Sequence, residues 1–142
     1  MPATRTTPAE TKLLICVWHP FTFWRPQPVM PETIRQRSPQ MRVVHLPDYD
    51  RLREELPDTD IFIGYSLRAQ QLTHAKKLKW IHSTAAGVAQ LMYPELRDSG
   101  ILVSDRLWVR ETALLMDLLE RWFDGANYSI RLILLEAIDL CM

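Results

Sequence analysis

His19, His45, His74 and His82 are the imidazoles of the chain, and no two of them stand at the turn or helical spacing that a zinc site needs. No metal centre is expected. His45 and His82 fall at the ends of apolar runs and read as ordinary polar residues; His19 follows such a run before Pro20, where packing of a loop is the plain role. Cys16 lies inside an apolar run and should be inert, and Cys141 is next to the last residue, so the two cysteines form neither a disulfide framework nor a ligand pair. A reducing, cytoplasmic setting follows as the expectation. Ser66 and Ser83 have no Gly-x-Ser-x-Gly context and suit cap or turn duty. The four glycines, Gly64, Gly87, Gly100 and Gly125, are too scattered for a dinucleotide fingerprint or a phosphate-cradling loop.

One stretch changes character within a few residues: Lys77-Leu78-Lys79-Trp80-Ile81-His82-Ser83-Thr84-Ala85-Ala86-Gly87-Val88. Trp80 and Ile81 suit a buried strand, Ser83 to Gly87 are all small, and Val88 begins a helix-like pattern with Leu91 and Met92. A strand that turns through small residues into a helix leaves backbone N–H groups exposed, and such groups hold anions. Ala85, Ala86 and Gly87 are therefore the candidate ligand-binding backbone, with Tyr65 and Ser66 beside them at the end of a neighbouring strand. Trp18, Phe21, Phe23 and Trp24 either line an apolar pocket or cover the core.

Leu13 to Trp18 is a continuous apolar run, the pattern of a strand covered on both faces. A proline-rich loop from Phe21 to Pro31 precedes a short helix with Pro31 at its first position, running through Ile34 to a break before Pro39. Met41 to Leu46 is a second strand, after which Asp48 caps a helix bearing Leu52 and Leu56. Asp60 to Tyr65 is a third strand, followed by a helix capped by Ser66 and bearing Leu67, Gln71 and Leu72. The fourth strand enters the small-residue loop; its helix from Val88 is kinked at Pro94 and ends near Ser99-Gly100, and Ile101 to Val103 is the fifth. The expected fold class is α/β: a flavodoxin-like open parallel sheet of about five strands with flanking helices, plus a C-terminal helical tail. In such a sheet the ligand crevice lies beyond the carboxyl ends of the strands, at Trp18-His19, Tyr65-Ser66 and Ser83 to Gly87.

Composition divides the chain into residues 1–11, a disordered polar start; 12–104, the sheet domain; and 105–142, a tail. All ten prolines lie at or before Pro94, and residues 1–104 carry 13 basic against 10 acidic side chains, whereas 105–142 carry 4 against 7. With a net charge of zero, neither nucleic acid nor an anionic membrane is an expected partner, and no run is long enough to span a bilayer. Ile130 to Leu140 is apolar on nearly every face, so association through the tail into a homo-oligomer is expected.

From Lys12 to Val103 the chain resembles the N-terminal part of the D-isomer-specific 2-hydroxyacid dehydrogenase family. The resemblance is carried by Leu78 to Val88, by Pro94-Glu95-Leu96 and by Gly100-Ile101-Leu102-Val103-Ser104. In that family the corresponding loop reads Gly-x-Gly-x-Asp or Asn and its amides hold the substrate carboxylate; here Ala85 replaces the first Gly, Gly87 keeps the second and Ala89 replaces the acid or amide. The resemblance implies the flavodoxin-like substrate domain, into which the family inserts a separate nucleotide-binding domain. It also implies NAD or NADP as cofactor and a small 2-hydroxy or 2-oxo acid as ligand. No counterpart of that inserted domain or of the family's catalytic Arg, Glu and His stands in this sequence, and from Asp105 the pattern does not continue. The expectation is a truncated or frame-disrupted portion of an oxidoreductase, inactive alone. The alternative is a non-catalytic binding or assembly module that associates through its apolar tail.

Overall fold

The computed structural model describes residues 10–22, 25, 28–85 and 87–105. Ala86 therefore lies outside the described residues, as do Phe23, Trp24, most of the expected N-terminal segment and the tail from residue 106 onward.

Five strands form one sheet: β1 (Lys12–Cys16), β2 (Arg42–Leu46), β3 (Ile61–Gly64), β4 (Trp80–Ser83) and β5 (Leu102–Ser104). Their spatial order is β2-β1-β3-β4-β5, and every neighbouring pair is parallel. This is the flavodoxin-like order, in which the chain moves outward from β1 in one direction and then, from β3, in the other. The continuous apolar run in β1 is explained by its place: it has a strand on either side and all five of its residues are buried. At the edge, β2 buries only Leu46 fully.

Leu14, Cys16, Phe62 and Ile81 alternate along their strands with residues of the opposite face, and they pack with Leu46, Leu52, Leu56, Leu67, Leu78, Leu91 and Leu96 into one core. Removing a large side chain from such a cluster costs about 2–5 kcal/mol, since neighbours close the cavity only in part. The amino end of the sheet is fixed by polar contacts. Lys12 Nζ, almost fully buried, donates to the Glu55 carbonyl and carboxylate and to the Asp58 carboxylate, while its own amide donates to Asp60 Oδ2 at 2.9 Å. The bond from Lys12 is the main reason that the Glu55 and Asp58 carboxyls titrate below their ordinary range.

The helices are short, and here the structure corrects the sequence reading. Helix α1 (Val29–Arg37) begins two residues before Pro31, because the first turn has no intrahelical use for a proline N–H at any of its positions. It ends with Ser38 N–H donating to the Ile34 carbonyl, ahead of Pro39. Asp48 does not cap α2 (Leu52–Glu55): its carboxylate accepts the Asp50 amide in a tight turn, and Arg51 is the cap residue. Ser66 does not cap α3 (Ala69–Leu72) either. Arg68 takes that place, and its amide donates to Gln71 Oε1 at 2.8 Å. Finally, no α-helix starts at Val88. A single 3-10 turn, Ala89–Leu91, is followed by α4 (Pro94–Arg97), of which Pro94 is the first residue, not a kink within a longer helix.

Candidate functional site

The carboxyl ends of the strands are level with one another. Cys16 pairs with Leu46 and with Gly64, Gly64 pairs with Ser83, and His82 pairs with Ser104. One residue further on, Asp105 comes level with Ser83. The register alone thus brings the ends of β3, β4 and β5 to one edge of the sheet, where Tyr65 is exposed and Ser66 half-buried.

The loop after β4 is held by specific bonds. Thr84 N–H donates to the Gly64 carbonyl at 3.2 Å, extending the β3–β4 ladder by one rung. Ser83 Oγ accepts the Ala85 amide at 3.2 Å and the Gln90 side-chain amide at 3.1 Å. Gln90 Nε2 also donates to the Tyr65 carbonyl at 2.7 Å, so one side chain ties the loops after β3 and β4 together. Tyr65 and Ser83 are thereby joined through Gln90, a residue that sequence reasoning passed over because nothing local marks a glutamine as a bridge.

Gly87 is the turning point of the loop. Its φ of +108° lies where side chains are strained, and an added Cβ would meet nothing within 4 Å, so the glycine serves the backbone turn and not a tight approach. Its amide donates to Asp105 Oδ2 at 2.8 Å. The N–H that the sequence offers to an outside anion is held by a carboxylate of the same chain. Asp105 is 4% exposed and was also passed over; the available signal was its position directly after β5, at the same edge as the loop.

Beneath the loop, the strands carry a buried polar group. Trp80 Nε1–H donates to Ser104 Oγ at 2.8 Å, and the same hydroxyl lies 2.9 Å from His82 Nδ1. His82 is fully buried, unlike the ordinary polar residue that the sequence suggested, because its parity places it on the face of Trp80. Its Nε2 has no hydrogen-bond partner among the described residues. Burial pushes the imidazole pKa down to about 4, against the opposing pull of the Asp105 charge. His82 is therefore neutral near pH 7.

His19 Nδ1 accepts the Phe21 amide at 3.1 Å and its ring lies 5.4 Å from that of Phe21, a loop-packing arrangement. The Cys16 thiol is buried, bonded to the Asp48 carbonyl at 3.3 Å, and pushed up to about 12 by burial and then by the Asp48 charge. His45 is exposed at the edge strand. Among the described residues no group of three His, Cys, Asp or Glu side chains could hold a metal ion, and no helix is long and apolar enough to cross a membrane.

Several solved structures are similar to this chain, two of them dehydrogenase or oxidoreductase chains. One is a phosphoglycerate oxidoreductase from Vibrio cholerae O395, at 16% identity and a TM-score of 0.49, over 77% of this chain and 36% of that one. The other is a D-mandelate dehydrogenase from Rhodotorula graminis, at 20% identity and a TM-score of 0.47, over 78% of this chain and 34% of that one. The chain thus spans about a third of the length of each. No protein-family model matches it, and no curated protein does.

Proposed function

We propose that this chain is a substrate-domain portion of an NAD(P)-dependent oxidoreductase that acts on the CH–OH group of 2-hydroxy or 2-oxo acids, and that it supplies the loop that binds the acid's carboxylate. The observation that carries this reading is the bond between the Gly87 amide and a carboxylate oxygen, at the carboxyl edge of a flavodoxin-ordered sheet. A loop whose turning amide already holds one carboxylate has the donor geometry to hold another. The sequence resemblance from Leu78 to Val88 supports the same assignment of ligand class. A cytoplasmic setting belongs to the proposal.

The described residues do not fit the cofactor that the resemblance implies. A pyrophosphate needs clustered glycines after a strand, yet residues 17–28, which follow β1, contain none. At the end of β3, a Cβ on Gly64 would lie 2.5 Å from the Phe62 ring and 2.8 Å from the Cys16 carbonyl oxygen, so that glycine is needed by strand packing. We therefore assign this chain the binding and orientation of a carboxylate and no catalytic residue.

Only the single 3-10 turn Ala89–Leu91 follows the loop, so no helix-end field adds to the affinity. What is left is one or a few backbone hydrogen bonds to an anion, and millimolar binding is the expectation. Amide chemical-shift titration with oxalate or pyruvate tests it. Saturable shifts at residues 83–89, weakened in Gly87→Val, are expected; shifts confined elsewhere, or identical titrations of the two proteins, would overturn the site.

A second reading, an assembly module without catalysis, is favoured by the exposure of Trp18, Phe21 and Tyr65 beyond β1 and β3. Oxalate titration followed by sedimentation separates the two readings. Saturable amide shifts at residues 83–89 support the substrate-domain portion, and their absence together with self-association in sedimentation supports the module.

A further inference from the structure

We propose that Asp105 is an internal competitor for the carboxylate loop, so that an outside carboxylate gains the Gly87 amide only by displacing it. The inference rests on the ligand class proposed above and adds a regulatory contact to that site. A backbone amide has one hydrogen, and that of Gly87 is committed at 2.8 Å to Asp105 Oδ2. A second carboxylate cannot share this bond at normal length without bringing two anions into contact. Asp105 is nearly excluded from solvent, and in such surroundings like charges repel strongly.

The neighbouring groups sharpen the exclusion. His82 is near enough for the Asp105 charge to act on its titration, but burial keeps the imidazole neutral around pH 7, so it brings no positive charge to balance a second anion. Ser104 Oγ is already engaged by Trp80 and His82. Ser83 Oγ is engaged by Ala85 and Gln90. The loop is thus closed upon a carboxylate of its own, one residue beyond the end of β5. Opening it gives up the charge-assisted bond between Gly87 and Asp105 for one to the ligand, and ligand affinity is lowered by whatever holds Asp105 in place.

The test compares oxalate affinity in the wild-type chain with that in Asp105→Asn and Asp105→Ala, followed through the amide signals of residues 83–89. Asparagine keeps the shape and an acceptor oxygen but removes the charge; alanine removes the competitor, and the dispersion of the amide spectrum confirms that each variant is folded. Loss of a charged hydrogen bond from the competing state predicts roughly tenfold to a hundredfold tighter binding in Asp105→Ala, with Asp105→Asn between it and wild type. In wild type, oxalate should also shift the Asp105 carboxyl carbon as that group leaves its buried position. Equal or weaker binding in the folded variants, with wild type still binding at the loop, would overturn the competitor and leave the carboxylate loop standing. No oxalate binding in any of the proteins would overturn both.

Discussion

The amide of Gly87 donates a 2.8 Å hydrogen bond to the carboxylate of Asp105, which lies 18 residues further along the chain and is brought beside it by the pairing of β4 with β5. The bond requires the turn at Gly87, and the turn requires a φ of +108°. Backbone conformation, sheet register and ligand chemistry therefore meet at one residue.

Gly87→Ala should destabilise the chain by about 1–3 kcal/mol through backbone strain alone, because the new Cβ would meet open space. Urea denaturation reads the change as a lower midpoint at unchanged slope. An unaltered midpoint would mean that the loop relaxes to a negative φ without cost.

Gly64→Ala should be costly for a different reason. There the obstacle is contact: the Cβ would lie 2.5 Å from two ring carbons of the buried Phe62 and 2.8 Å from the Cys16 carbonyl oxygen of the paired strand. Overpacking of this kind costs about 1–3 kcal/mol. Thermal melting should show a clear decrease, and a variant as stable as wild type would contradict the close packing of β1 against β3.

These two glycines illustrate what could be read without the structure. The five strands were legible to within a residue or two, since runs such as Leu13 to Trp18 and Asp60 to Tyr65 report burial on both faces, and their alternation with linkers implies a parallel sheet. The helices were not. A four-residue helix such as Leu52–Glu55 or Pro94–Arg97 shows too little periodicity to reveal its ends, and Asp48 and Ser66, good caps by type, spend their polar groups elsewhere or stand too early. The loop from Ser83 to Gly87 was visible from its small residues. Its partners Gln90 and Asp105 were not, because bonds between different strand ends follow from register, and the burial of His82 follows from which face each strand presents.

Stability should fall with pH through His82. Its pKa is about 4 in the folded chain against 6.5 ordinarily, so the unfolded chain takes up the proton first as pH falls. The contribution is intact above pH 6.5 and is lost progressively as pH drops toward 4; between pH 7 and pH 5 the loss is about 2 kcal/mol. Glu55 and Asp58, whose pKa values are lowered, act in the same direction but only at more acidic pH. Denaturation midpoints of wild type and His82→Asn at these two pH values check the assignment, and an equal pH dependence in both would contradict it.

Cys16 should resist alkylation. A thiol at about 12, buried and bonded to the Asp48 carbonyl, is almost wholly protonated at pH 8. Peptide mapping after iodoacetamide treatment should find Cys16 unmodified in the native protein and modified in denaturant. Rapid native labelling would show that β1 is more open than its burial implies.

That the amide of Gly87 is a carboxylate-holding group is tested most directly by a crystal structure of the Asp105→Asn chain with oxalate. An oxalate oxygen is expected within about 2.7–3.2 Å of the Gly87 nitrogen, at the edge formed by the ends of β3, β4 and β5. Oxalate bound elsewhere, with the Gly87 amide still turned to residue 105, would contradict it.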